Sequence, residues 1–537
     1  MYNLAMLLTQ ISLVAAKPVA QAIVNTANSA NAIEPFDGFI SYSIEFASFP
    51  DFAGNKSNPN DFSNNLLDNL GAFSGIKPYI RVGGNTQDYA IFNSELTIAL
   101  NGTYNLSRSA DYPTTIEIGP SYFESYETWP DVKFSHGFNL GGNHDNRKLA
   151  TLLATVPLAC KAIGKDKLYL WEYGNEPDLF ATSSQGPVRP SNYNESDYVA
   201  EWLEGTRAIK RVLKDACPDL VSNDTYGYLA PSFAGTSNHL KAPLTWADGL
   251  DEDGDIKLFS SHNYISGAET PGVTLSNTLL NHTRTVQSMS QHIAENASVH
   301  PGIPYILGET NSLYNQGRPG LSNSFGAALW TIDFALYSAS VGIRRVHYHM
   351  GTDYRYASWQ PIETNKTTVG TKAPYYGNVA AAAFIGEKGT RVSEVALQGE
   401  GDRLDGSTDV AYAAYGADGG LVRLLVVNLR EYNYTLNGTG GSDLNPEPRP
   451  TRTYQLSLPT SSNLGLEEAT VRRLYANGSD AVTGITWDGW SYNYELDHGR
   501  PVRLENVTVG ETAKVVGGTV EVGVPDSQAV ILDFGTE

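Results

Sequence analysis

Short apolar runs alternate with helix-like stretches along roughly the first 388 residues, a pattern that repeats often enough to suggest a fold. The runs are Phe39–Phe46, Pro78–Val82, His136–Leu140, Leu168–Tyr173, Tyr226–Leu229, Leu258–Tyr264, Tyr305–Leu307 and Ile343–Met350. Between them lie helical candidates at Lys148–Ile163, Ser196–Ala216, Leu279–Asn296 and Ser324–Ser340. Eight strand-like runs with intervening helices over roughly 340 residues predict an α/β fold of the (β/α)8 TIM-barrel type. A doubly wound open sheet would alternate in the same way, so periodicity alone gives α/β. After Gly386 the texture changes. Leu421–Leu429, Thr453–Leu458, Thr470–Tyr475, Val502–Val507, Thr519–Val524 and Ala529–Phe534 are strand candidates separated by Gly, Asn, Pro and Asp, with no helical stretch between them. Val520, Val522 and Val524 alternate strictly. This tail predicts a C-terminal antiparallel β-sandwich. The expected division is residues 34–388 for the barrel and 389–537 for the sandwich.

Composition narrows the function. The chain of 537 residues carries 37 Lys+Arg against 58 Asp+Glu, a formal charge of −21, and no basic run longer than Arg344-Arg345 or Arg472-Arg473. Counterion release on nucleic acid and attraction to anionic membranes both need clustered positive charge, so neither is an expected partner. Two cysteines cannot build a disulfide scaffold or a four-Cys metal site. No His/Cys cluster has ligand spacing, and Gly83-Gly84 lacks the phosphate-loop and dinucleotide fingerprints, so neither metal nor cofactor is expected. The segment Ala5–Ala16 is apolar but too short to span a bilayer, and the small-residue patterns Val14-Ala15-Ala16 and Ala20-Gln21-Ala22 follow it. Residues 1–18 therefore read as a signal peptide, although no positive charge precedes Lys17; a buried N-terminal segment is the alternative. A dozen Asn-x-Ser/Thr sequons, from Asn55 to Asn506, favour a secreted, extracellular glycoprotein.

Two segments carry the candidate chemistry. Leu168–Phe180 (LYLWEYGNEPDLF) is an apolar strand running into Gly-Asn-Glu-Pro, which places Asn175 and Glu176 where a barrel keeps its reactive groups. Pro177 keeps Glu176 out of the right-handed helical region and ends the strand. Pro304–Ser312 (PYILGETNS) is a second apolar strand, and it ends in Glu309. Two carboxylates at the ends of different strands suit retaining glycoside hydrolysis. One stays protonated for the leaving oxygen while the other attacks the anomeric carbon, with the carboxyl groups about 5–5.5 Å apart.

Asn-Glu-Pro after the fourth strand and Gly-Glu after the seventh resemble the retaining glycosidases of clan A. Taken with Gly38–Gly54 (GFISYSIEFASFPDFAG), Arg81–Asp88 (RVGGNTQD), the SHNY of the sixth strand and Val524–Phe534, the chain resembles glycoside hydrolase family 79. It is most similar to that family's secreted fungal β-glucuronidase branch, which is related to the heparanases. The resemblance implies Glu176 as acid/base, Glu309 as nucleophile and Asn175 as the contact to the sugar 2-hydroxyl. Tyr264 resembles the tyrosine that hydrogen-bonds the nucleophile, and Glu45 and Asn85 resemble contacts to sugar hydroxyls. Tyr356, with Tyr354 as a rival, and the amide of Gly317 resemble the groups that hold the uronate carboxylate. The Asn315-Gln316-Gly317 sequence departs from the Gly-Gly of heparanases. His262 shares a strand face with Tyr264 and stands behind the site.

The implied activity is a retaining, exo-acting β-glucuronidase that releases terminal glucuronic or 4-O-methylglucuronic acid. Its partner would be a glucuronic-acid-bearing oligosaccharide, polysaccharide or proteoglycan. The alternatives are a heparanase-like endo-β-glucuronidase and a catalytically silent carbohydrate-binding protein on the same fold. The family also implies that residues 19–33 add a strand to the sandwich. Finally, Cys160 precedes the fourth strand and Cys217 ends the helix after it. Consecutive helices are neighbours on a barrel's outer ring, so the two form a bridge or lie as two buried thiols.

Overall fold

Every one of the eight predicted apolar runs contributes a strand to one closed parallel barrel. In chain order the strands are β1 (Ile40–Glu45), β2 (Ile80–Gly83), β3 (Phe134–Phe138), β4 (Leu168–Tyr173), β5 (Tyr228–Phe233), β6 (Ile256–Gly267), β7 (Tyr305–Tyr314) and β8 (Val346–Met350). Closure comes from the β8–β1 pair, in which Tyr348 lies opposite Tyr42. The computed structural model describes residues 19–23, 32–142, 146–183, 186–222, 225–398, 407–435, 448–459 and 467–535. The predicted signal peptide, most of segment 19–33 and the sequon asparagines Asn223 and Asn437 lie outside them.

The helices form the outer layer: α1 (Asp61–Ser74), α2 (Lys148–Lys167), α3 (Glu195–Ala216), α4 (Ala242–Ala247), α5 (His282–Val299), α6 (Phe325–Ser340) and α7 (Ala373–Ile385). Because helices cover the outside and side chains fill the inside, strands such as β1 and β3 are buried along their whole length. Cys160 in α2 and Cys217 at the end of α3 are joined by a disulfide, with Cα atoms 6.3 Å apart. The β2–β3 connection departs from the helical pattern. There the chain builds a small three-stranded sheet (Ala90–Phe92, Leu100–Thr103 and Thr115–Ile118) and a 3-10 helix, Pro120–Glu127.

The C-terminal part is the predicted antiparallel sandwich. Its main strands are β9 (Arg391–Glu394), β10 (Asp409–Tyr415), β11 (Leu421–Asn428), β12 (Thr451–Ser457), β13 (Glu468–Tyr475), β14 (Glu511–Val516), β15 (Thr519–Pro525) and β16 (Gln528–Asp533). Period-two alternation divides β10 and β11 between two cores. Val410, Tyr412, Ala414, Leu425 and Val427 pack toward the barrel. Ala411, Ala413, Leu424 and Val426 face the sandwich interior with Val520, Val522 and Val524 of β15. The N-terminal strand Val19–Ile23 pairs in parallel with β12, Val19 opposite Thr453, and its Ala22 is buried in the sandwich core.

Candidate active site

The C-terminal ends of the barrel strands open onto a cleft of about 680 Å³. Glu45, Asn85, Asn175, Glu176, His262, Tyr264, Glu309 and Tyr356, distant in sequence, all line it.

At the end of β4 the chain turns through Gly174 at φ +89°, where a Cβ would stand 2.6 Å from Leu140 Cδ2. Glu176 then takes φ +51°, ψ +47°, a left-handed conformation that costs a non-glycine residue about 1–3 kcal/mol. Its N–H donates to Ser232 O at 2.9 Å, and Pro177 opens a short 3-10 turn behind it. The neighbouring Asn175 is tied on three sides. Its N–H donates to Asp88 Oδ2 (2.8 Å), its Nδ2 to Asn85 Oδ1 (3.1 Å), and its Oδ1 accepts from Arg81 Nη2 (2.7 Å).

Glu309, inside β7, meets different neighbours. The Tyr264 hydroxyl donates to its Oε1 at 2.7 Å and Arg81 Nη1 donates to its Oε2 at 2.7 Å. His349 Nδ1 is 3.4 Å from the same Oε2. Burial by itself pushes Glu309 up, but the positive charges of His349 and Arg81 and the Tyr264 hydrogen bond outweigh it and hold the carboxyl below the usual range. His262 adds to that only while protonated, and burial lowers its own pKa to about 4. Glu176 goes the other way: burial first, then the charge of Glu309, push it well above the usual carboxylate range. His262 Nδ1 lies 2.9 Å from Glu176 Oε1, so this histidine touches Glu176 directly rather than standing behind the site. The pair is thus split into a protonated carboxyl and an ionised one.

One oxygen of each glutamate and a ring nitrogen of His262 lie within 4.8 Å of one another, a set that could in principle hold a cation. The Arg81 guanidinium on Glu309 already supplies the positive charge there. Glu45 is buried and multiply held. It accepts from the Thr86 N–H (2.9 Å) and hydroxyl (2.6 Å) and from Tyr354 (3.2 Å), with His349 Nε2 at 3.3 Å. Tyr354 is therefore committed beneath the site, and Tyr356 is the one that faces the cleft.

Gly317 does not fit its expected place. Its N–H donates to Leu313 O at 3.1 Å, so no amide is left for a ligand, and a Cβ there would stand 2.9 Å from Tyr356 N. The cleft is lined instead by Asn315 and Gln316, both with positive φ (63° and 60°). The glycine serves close packing of the β7 loop against the β8 loop.

Sequence reasoning missed Arg81, Glu172 and His349. Arg81 donates to Glu172 (2.8 Å), Ser43 (3.0 Å), Glu309 and Asn175, and so ties four strands together. Ser232 donates to the other Glu172 oxygen at 2.6 Å. The signal was there: an Arg, a Glu and a His inside otherwise apolar strands must be paired if the strand is buried.

The chain's C-terminal residues 411–531 match the model of the glycosyl hydrolase family 79 C-terminal beta domain. A Neurospora crassa protein named beta-glucuronidase is 58% identical over 508 residues, covering 91% of each chain. An Aspergillus niger beta-glucuronidase is 54% identical over 503 residues, covering 92% of this chain and 90% of its own. Among solved structures, a 4-O-alpha-L-rhamnosyl-beta-D-glucuronidase from Fusarium oxysporum shares the fold with a TM-score of 0.71 at 23% identity, covering 96% of this chain and 99% of its own. A family 51 alpha-L-arabinofuranosidase from Bifidobacterium longum aligns with a TM-score of 0.61 at 12% identity, covering 97% and 100%, which speaks to fold alone. With relatives this similar along nearly the whole chain, and a barrel that carries two glutamates in its cleft, the chain belongs to glycoside hydrolase family 79.

Proposed function

We propose that this glycoside hydrolase is a retaining, exo-acting β-glucuronidase that removes terminal glucuronic acid, or its 4-O-methyl form, from glycan chains. The observation that carries the reading is the glutamate pair: oxygens of Glu176 and Glu309 within 4.8 Å, one carboxyl pushed up and the other held down. That spacing suits a retaining pair at about 5–5.5 Å and is too close for the water an inverting enzyme places between carboxyls about 6.5–9.5 Å apart.

Glu309 attacks the anomeric carbon while Glu176 gives its proton to the departing glycosidic oxygen. This leaves a glucuronyl ester on Glu309 and an ionised Glu176. Glu176 then takes a proton from water, the hydroxide attacks the same carbon, and Glu309 leaves with the β configuration restored. Asn175, held by Arg81, meets the 2-hydroxyl. Tyr356 and the Asn315–Gln316 turn receive the uronate carboxylate by neutral hydrogen bonds.

Exo action is supported by the β2–β3 excursion, whose Arg108 and Tyr112 stand in one wall of the cleft beside Tyr89. Asp111 there forms a bidentate ion pair with Arg355 (2.7 and 2.9 Å), which pins the excursion against the β7 and β8 loops. Secretion is supported by the sequons and by the Cys160–Cys217 bridge, which needs an oxidising compartment. Among the described residues no helix is long and apolar enough to cross a membrane.

The test is hydrolysis of nitrophenyl β-glucuronide, β-xyloside and α-arabinofuranoside, with product NMR. The expected result is turnover of the glucuronide with first release of the β-anomer. Preference for a pentoside, or first release of the α-anomer, overturns the reading.

A further inference from the structure

The cleft presents an anionic lining to a substrate that is itself an anion. Four acidic side chains line it, Glu45, Asp88, Glu309 and the protonated Glu176, within a chain of net charge −21. The cationic side chains near the site are mostly committed. Arg81 is fully buried and shared among Glu172, Ser43, Glu309 and Asn175. Arg355 is taken by Asp111 and the carbonyls of Gly317 and Asn315.

Arg108 differs from both. Among the described residues it is the one Arg or Lys in the cleft lining, it is exposed, and no ion pair or hydrogen bond holds its guanidinium. Its backbone is nevertheless fixed. The Arg108 N–H donates to Asn105 O at 2.8 Å, and the Ser109 hydroxyl accepts from Asp111 N (3.1 Å) and Tyr112 N (3.3 Å). Asp111 in turn is clamped by Arg355. A free cation on an anchored turn therefore stands at the rim, next to Tyr89 and Tyr112, over a floor that would otherwise repel a carboxylate.

We infer that Arg108 is a specificity-determining residue: its guanidinium pairs with the carboxylate of the entering uronate and favours the anion over neutral hexosides of the same ring shape. This rests on the glucuronidase reading above. Tyr356 and the Asn315–Gln316 turn orient the carboxylate by hydrogen bonds, whereas Arg108 supplies, among the described residues, the one unpaired Arg or Lys charge in the cleft lining. An exposed pair of this kind acts through binding and is screened by salt.

The experiment compares wild type, Arg108→Gln and Arg108→Lys on an aryl β-glucuronide at about 10 mM and about 500 mM NaCl, where the Debye length falls from about 30 Å to a few Å. The uncharged methyl ester of the same glucuronide is run alongside, as substrate or as competitive inhibitor. Arg108→Gln is expected to raise KM for the glucuronide roughly three- to tenfold at low salt with kcat within about twofold, the gap closing at high salt. The methyl ester should be bound equally well by all three proteins, and Arg108→Lys should keep most of the affinity. An unchanged KM, a salt-insensitive change, or an equal loss for the methyl ester overturns the assignment. A wild type that hydrolyses another glycoside and not the glucuronide would instead overturn the glucuronidase reading.

Discussion

Glu176 and Glu309 are the same side chain in two environments, and the difference between them is the chemistry. Tyr264, Arg81 and His349 give Glu309 hydrogen-bond donors and positive charge, while Glu176 has burial and the Glu309 charge against its ionisation. The signs fix the pH profile. On the proposed mechanism, activity needs Glu309 ionised, so it should fall as pH drops through a pKa held below the ordinary carboxylate range. The same mechanism needs Glu176 protonated, so activity should fall as pH rises through a pKa held above that range. Glu309→Gln should lower kcat by at least roughly 10⁴-fold. Glu176→Ala should cost roughly 10²–10⁴-fold on substrates with poor leaving groups, spare those with good ones, and remove the alkaline limb of the profile. Steady-state rates against pH on nitrophenyl and alkyl glucuronides check this. An alkaline limb that survives in Glu176→Ala would assign the acid elsewhere. Glu176 was legible because an apolar strand runs into Gly174 and Pro177 around it, and Glu309 because the apolar run Tyr305–Leu307 leads into it, although its strand continues to Tyr314. Arg81 and His349 were not, since their importance comes from partners 228 and 40 residues away that only barrel closure brings near.

Among the elements, the β2–β3 excursion carries the most consequence for its size. It replaces the helix expected between two barrel strands and brings Arg108 and Tyr112 to the cleft, with Asp111 paired to Arg355 behind them. Arg355 holds it through Asp111 while also accepting position from the Gln316 carbonyl, to which its own N–H donates at 2.8 Å. Arg355→Ala should therefore loosen the wall of the cleft without touching the reacting groups. The expected result is a roughly three- to thirtyfold loss in kcat/KM carried mainly by KM, with a melting temperature within a few degrees of wild type. Kinetics with thermal melts decide it, and an unaltered KM would show the pair to be ornamental. The barrel strands were readable because burial on both faces makes them short apolar runs. The excursion was not, because its strands are short and half-exposed and its small sheet has no pattern strong enough to separate it from loop.

At the scale of the molecule, barrel and sandwich are joined through a histidine. His282, at the start of α5, has Nδ1 2.8 Å from Asp333 of α6 and Nε2 3.2 Å from Glu394 of β9, and Tyr412 of β10 donates to Asp333 at 2.7 Å. Burial would lower the His282 pKa, but Asp333 and Glu394 outweigh it and raise it from 6.5 to about 10. A raised histidine stabilises the fold fully below its unfolded pKa of about 6.5, and that contribution is lost as pH rises through about 10. His282→Gln should cost about 3 kcal/mol at pH 7, because it leaves a buried carboxylate short of its cation, and the difference from wild type should shrink toward pH 10.5. Denaturant unfolding at both pH values is the measurement, and a constant difference would assign His282 a packing role only.

The sequence by itself determined the alternation of strands and helices, the change to a β-rich tail and the two glutamates that follow apolar runs. Each of these is local, set by periodicity or by Gly and Pro at a turn. Tertiary structure decided the rest. Closing the barrel placed Arg81 between Glu172 and Glu309, set the two reactive carboxyls within 4.8 Å, and drove their pKa values apart. It also removed Gly317 from the site, because its amide is spent on Leu313, and left Arg108 unpaired at the rim. The reason is physical: Coulomb energy and desolvation depend on distances through space and on burial, and a strand's sequence carries neither until its neighbours are in place.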